Sequence, residues 1–140
     1  MAYVSASLRR EVRERAQFRC EYCQSQELVT GGIFHIEHIF PETFGGKTEL
    51  GNLALSCARC NLHKGTRTRF RDPVSGRTVE LFNPRRQAWS RHFRWSSDGT
   101  RILGRTRSGR ATVIALRMNQ PAIVLSRAVW SKMGIHPPSD

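Results

Sequence analysis

A chain of 140 residues and 16.0 kDa has room for one domain and a modest appendage. Its 39% hydrophobic content suffices for a small core and excludes a disordered chain, while no apolar run approaches the length of a membrane span. The 23 Lys+Arg against 11 Asp+Glu leave +12, so the surface attracts polyanions. All but three of the basic residues (Lys47, Lys64 and Lys132) are Arg, whose planar fork of donors matches phosphate. Nucleic acid is therefore the expected partner, ahead of an anionic membrane. The opening residues, Met1 to Arg10, have no signal-peptide core, which makes a cytoplasmic location the expectation.

The elements follow in chain order. Residues 5–19 read as a helix with Leu8, Val12 and Ala16 on one face and Ser7 as N-cap; Arg9, Arg10, Arg13 and Glu14 form the other face, solvated or turned to phosphate. Residues 27–40 read as two short strands around Thr30-Gly31-Gly32, the second ended by Pro41. Gly45-Gly46 marks a loop, residues 50–55 are short and apolar, and residues 61–66 open a helix. Residues 78–82 read as a strand. Residues 89–95 and 100–105 form a hairpin about Ser97-Asp98-Gly99, and two helices cover 111–118 and 122–133, with Pro121 at the start of the second. Nothing repeats internally.

Charge is distributed unevenly along these elements. Residues 1–19 carry +3, residues 20–58 carry −4, residues 59–110 carry +11 and residues 111–140 carry +2. An acidic segment between basic flanks suits a metal-dependent phosphodiesterase, with carboxylate for the cation and basic groups for the strands.

All four cysteines fall in two knuckles, Cys20-Glu21-Tyr22-Cys23 and Cys57-Ala58-Arg59-Cys60. Two C-x2-C pairs place four thiolates around one tetrahedral zinc ion, a closed structural site with no open position. Two disulfides or free thiols are the alternatives; the lack of a secretory segment and of any leftover cysteine favours zinc. Such an ion would tie the end of the first helix to the segment after Leu55 and replace core in a small module.

Between and after the knuckles run Phe34-His35-Ile36-Glu37-His38-Ile39-Phe40-Pro41, then Gly45-Gly46, then Gly51-Asn52-Leu53, then Cys60-Asn61-Leu62-His63-Lys64-Gly65. Over about residues 17–66 this order resembles the HNH nuclease family. The resemblance implies an α+β fold: a ββα-metal finger stapled by the four-cysteine zinc site over residues 1–66. A small basic α+β extension of hairpin and helices would cover 67–140 and pack on it. It also implies a DNA endonuclease that takes no small-molecule substrate, with catalytic Mg²⁺ or Mn²⁺ beside the structural zinc.

The residues make chemical sense of these roles. His38 suits a general base. Glu37 is a hard oxygen ligand for the divalent cation. Asn52 can accept from the His38 ring N–H and fix its tautomer. In the family register the second metal ligand follows Cys60 directly, which favours Asn61; His63 is also competent, but lies about 200° around a helix from Asn61, so both should not reach one ion. His35 is a further ligand, a supporting residue or a buried structural histidine. Adjacent Glu37 and His38 would alternate faces in a regular strand; the family places the pair where the strand bends into a loop.

Arg67, Arg69, Arg71, Arg77, Arg85, Arg86, Arg91 and Arg94 interleave with Phe70, Phe82, Trp89, Phe93 and Trp95. The aromatics are expected to form a small core and the arginines to face outward. Residues 72–95 are similar to an extension found in a group of small bacterial HNH proteins. The alternative function is a non-catalytic zinc-containing nucleic-acid-binding protein; a third, an accessory subunit or toxin acting on a protein partner, is asked for by no sequence feature. A pure binder has no need of the Glu37-His38-Asn52 set.

Overall fold

The computed structural model describes Tyr3–Ser139. The chain forms two compact units: the described residues up to Thr68 together with Asn83–Gln87, and Arg69–Phe82 together with the described residues from Ala88 onward. No helix among the described residues is long and apolar enough to cross a membrane.

The first unit opens with α1 (Ala6–Arg15). Its cap is Ser5, two residues earlier than the sequence suggests, because the Ser5 hydroxyl accepts the Leu8 N–H at 3.1 Å. The helix also stops early, where Gln17 and Phe18 take φ of 55° and 57°. Val12 is fully buried and anchors its apolar face. The first of the two strands expected in 27–40 is instead a single helical turn, α2 (Glu27–Thr30). The reason lies in Glu27, whose carboxylate takes the Phe34 N–H at 2.7 Å and meets Arg13 at 3.3 Å. The second expected strand forms as β1 (His35–His38), and its partner is β2 (Leu53–Ser56).

β1 and β2 are antiparallel, with Glu37 opposite Ala54 and His38 opposite Leu53. All four β2 residues are buried, so this strand is covered on both faces and shows no alternation. The chain then turns through Cys57 into α3 (Ala58–Lys64). β1, β2 and α3 make a ββα unit. Asn83–Gln87 join it through Arg85, whose guanidinium pairs with Glu21, while the other Glu21 oxygen accepts the Leu55 N–H at 2.9 Å.

The second unit contains two hairpins and the remaining helices. β3 (Arg69–Arg71) pairs with β4 (Thr78–Glu80), and β5 (Phe93–Trp95) pairs with β6 (Ile102–Gly104), both antiparallel. α4 (Trp89–His92) precedes β5, and α5 (Arg107–Ala115) and α6 (Pro121–Lys132) close the chain. Pro121 occupies the first turn of α6, where a missing N–H costs nothing. Phe82 and Phe93 are buried with ring centroids 5.1 Å apart, edge to face, and Trp89 lies 5.2 Å from Phe93. Phe82 and Phe93 join Ile102, Leu116 and Met118 in the core with Trp89 half-buried, and Arg71, Arg77, Arg91 and Arg94 are exposed. The described residues make a small α+β structure with three two-stranded antiparallel sheets.

Candidate metal centre and active-site cleft

The two knuckles converge. Cys20, Cys23, Cys57 and Cys60 are all buried, and their sulfurs lie within 4.8 Å of one another. Cys23 Sγ and Cys57 Sγ are 3.7 Å apart. A disulfide would need about 2.05 Å; a tetrahedron of thiolates at about 2.3 Å from one ion has edges of about 3.8 Å. Each knuckle closes on itself in the same way, with Cys23 N–H on Cys20 Sγ at 3.5 Å and Cys60 N–H on Cys57 Sγ at 3.4 Å. Burial pushes the Cys20 thiol up. Four buried thiols cannot all ionise without a cation among them, and the spacing and donor set fit zinc.

Beside this centre a cleft of about 680 Å³ is lined by Arg9, His35, Glu37, His38, Glu42 and Asn61, among others. Glu37 and His38 reach it together because His38 is the last residue of β1 and the chain then bends at Pro41. Glu37 is 6% exposed. Its Oε1 accepts the Tyr22 hydroxyl at 2.8 Å and faces the Lys64 ammonium at 3.4 Å. Burial pushes the Glu37 carboxyl up, against the opposing pull of Lys64 and Tyr22. Among the described residues no group hydrogen-bonds its buried Oε2. An orphaned carboxylate oxygen on a residue lining a cleft that Asn61 also lines fits a hard divalent cation.

The ring of His38 is held by residues other than the expected Asn52. His38 Nε2 lies 2.9 Å from Thr48 Oγ1 and 3.5 Å from Glu42 Oε1. The Asn52 carboxamide is fully committed elsewhere: its oxygen accepts the Phe40 N–H at 2.8 Å, and its nitrogen donates to Phe40 O at 3.0 Å and Lys47 O at 2.9 Å. Asn52 therefore ties down the loop that follows His38 and does not touch the imidazole. The same loop explains Gly45-Gly46. Gly45 has φ of 96°, and a Cβ on Gly46 would fall 1.8 Å from Phe40 O.

Asn61 sits in the first turns of α3 and lines the cleft; His63 is absent from the lining residues, and its carbonyl accepts from Arg67 at 2.8 Å. His35 is exposed on the cleft wall, so it is no buried structural histidine. The sequence reading missed Tyr22, Lys64, Thr48 and Glu42. Tyr22 and Lys64 carried a signal, since each adjoins a knuckle cysteine by one to four positions; Thr48 carried none.

Residues 20–67 match the family model described as HNH endonuclease, and these residues form an HNH domain with its four-cysteine staple. No curated protein matches the chain significantly, and no solved structure does.

Proposed function

We propose, from the premise that residues 20–67 form an HNH domain, that the chain is a metal-dependent endonuclease hydrolysing phosphodiester bonds in DNA. The observation that supports this reading is that Glu37, His38 and Asn61 all line one cleft. Glu37 through Oε2 and Asn61 through its amide oxygen are the groups that would hold Mg²⁺ or Mn²⁺. That cation supplies positive charge to the phosphate as negative charge develops.

The protein's own groups do the rest. On this reading Nε2, with Thr48 Oγ1 at 2.9 Å and Glu42 Oε1 at 3.5 Å, carries the ring proton and leaves Nδ1 to take one from a water. Glu42 then faces the positive charge that His38 gains. Arg9, which lines the same cleft, offers its guanidinium to phosphate. Asn52 keeps the loop after His38 in register. By family resemblance the products carry 5′-phosphate and 3′-hydroxyl ends.

Plasmid DNA incubated with Mg²⁺, Mn²⁺ or EDTA tests this, with His38→Ala beside the wild type. The wild type should cut with either cation and not in EDTA. His38→Ala should cut about 10² to 10⁴ more slowly and bind DNA equally well, since a neutral imidazole adds little phosphate attraction. Wild-type rates in His38→Ala, with contaminating nuclease excluded, would sink the mechanism. RNA cut faster than DNA would overturn the substrate, and a wild type that binds and never cuts would leave a zinc-containing binding protein.

A further inference from the structure

We propose that Tyr22 and Lys64 are positioning residues that grip Glu37 by Oε1, so that Oε2 alone is presented to the divalent cation. This rests on the reading of Glu37 as a metal ligand.

A carboxylate that can turn about its last bond presents either oxygen, or both at once. Glu37 cannot turn freely. The Tyr22 hydroxyl donates to Oε1 at 2.8 Å and the Lys64 ammonium lies 3.4 Å from the same atom. Lys64 is itself pinned, because it also donates to Ile39 O at 2.9 Å and is 2% exposed. Tyr22 is fully buried. Neither donor reaches Oε2, which has no hydrogen-bond partner among the described residues.

The source of the two donors matters as much as their distances. Tyr22 stands between Cys20 and Cys23, and Lys64 ends the helix that carries Cys60. The four-cysteine cluster therefore fixes both donors, and through them the orientation of a carboxylate that no cysteine touches. Supporting hydrogen bonds of this kind commonly change metal affinity by roughly 10- to 100-fold.

Single-oxygen ligation also bears on which cation is preferred. Mg²⁺ keeps several waters and takes one oxygen per carboxylate, whereas Ca²⁺ accepts both oxygens of one carboxylate readily. An Oε1 already occupied by Tyr22 and Lys64 disfavours the second arrangement. Removing either donor frees the carboxylate to chelate, so selectivity should move toward Ca²⁺.

The test uses the full zinc-loaded chain and reads free Mn²⁺ by electron paramagnetic resonance, with Ca²⁺ as competitor. Tyr22→Phe removes one hydroxyl and no charge; its Mn²⁺ Kd should rise about tenfold, and Ca²⁺ should compete better than in the wild type. In Lys64→Met the loss of a repelling charge offsets the loss of grip in Kd. The Ca²⁺-to-Mn²⁺ ratio is therefore its readout, and it should shift the same way. Zinc content and thermal midpoint are measured in parallel; if Lys64→Met loses zinc, Tyr22→Phe decides alone.

Glu37→Gln separates the two ideas. If it loses Mn²⁺ binding while Tyr22→Phe keeps the wild-type Kd and ratio, the gripping role is wrong and the ligand reading stands. If it binds Mn²⁺ like the wild type, the ligand reading fails and the proposal falls with it.

Discussion

The two units of this chain reach a folded core by different means. The first has a small apolar interior, with Val12, Leu53 and Leu55 fully buried, and it also buries Glu37 and Lys64. Its four cysteines gather at one point. The second has no cysteine and builds its core from the edge-to-face pair Phe82 and Phe93 together with aliphatic residues such as Ile102, Leu116 and Met118. It too buries charge: Asp72 is fully buried against Arg110, and Arg127 donates to Thr100 O at 3.0 Å and Met118 O at 2.7 Å and lies 5.5 Å from the Trp95 ring centre. The unit that carries the candidate chemistry is also the one that gathers four buried thiols at one point, where an ion would hold them together. Structural zinc contributes about 10–16 kcal/mol in small metal-stapled modules, and the second unit has rings instead.

Metal removal is the strongest way to break this comparison. All three tryptophans, Trp89, Trp95 and Trp130, lie in the second unit, so their near-ultraviolet circular dichroism reports on it alone. A strong chelator, or Cys57→Ser, should abolish amide protection in β1, β2 and α3 while the tryptophan signal persists. A first unit that stays protected without zinc would refute the stapling role. Simultaneous loss of both signals would show that the units fold as one.

Charge sharpens the contrast. The second unit carries twelve Lys+Arg against four Asp+Glu, the first eleven against seven, so DNA affinity and cleavage should be separable. If about five phosphates are contacted, log K should fall against log salt with a slope of roughly −4 to −5. Changing the exposed Arg91, Arg94 and Arg101 together to Gln should reduce that slope by about three, with turnover at saturating DNA unchanged. An unaltered slope would move the phosphate contacts to the first unit.

A smaller effect, confined to the first unit, is expected from Gly46→Ala. The added Cβ would meet Phe40 O at 1.8 Å, and the Gly46 N–H that bonds Pro41 O at 2.9 Å would have to move. The loop after His38 shifts, and a displacement near 1 Å costs up to about a hundredfold in rate. Cleavage should drop while the tryptophan signal and DNA affinity hold. Wild-type cleavage would show that the loop does not position His38.

Much of the first unit was legible because its motif residues each have one job. Four cysteines at x2 spacing have few other uses, and Gly-Gly marked a loop that only glycine fits. The α2 turn was illegible because a single carboxylate, Glu27, replaces the strand partner that the local pattern implied. The role of Asn52 was misjudged for a related reason: an amide with one acceptor and two donors serves backbone as readily as imidazole, and the sequence does not say which lies closer. Tyr22 and Lys64 went unread because burial decides their function. In the second unit the β5–β6 hairpin and α6 were legible from turn chemistry and Pro121, but the first arm expected over 89–95 is a strand only from Phe93, because Trp89–His92 form α4. β3 was missed, since Arg69-Phe70-Arg71 offers one apolar residue and its pairing is with a strand beyond the Asp72 turn.

The least of the expected effects separates the units by acid. Asp72 accepts Arg110 Nε and Nη2 at 2.9 Å each, with the Ser75 N–H at 3.0 Å and the Val74 N–H at 3.2 Å. The Arg110 fork holds its carboxyl below the usual carboxylate range. Asp98 is lowered to about 2 by the Thr100 N–H and the Ser96 hydroxyl. Both folded values lie below the unfolded value of about 3.9. Their stabilisation is therefore fully present above about pH 4 and is lost as pH falls through the folded values. The first unit should fail sooner, because protons compete with the metal for thiolate. Urea midpoints followed by tryptophan fluorescence at pH 7, 4 and 2 should be flat over the first interval and fall over the second. Asp72→Asn should lower the midpoint at pH 7 and flatten the later fall. A second unit that weakens between pH 7 and 4 would mean that a group other than these two carboxylates governs its acid stability, and His92, whose pKa is lowered by burial, would be the residue to replace next.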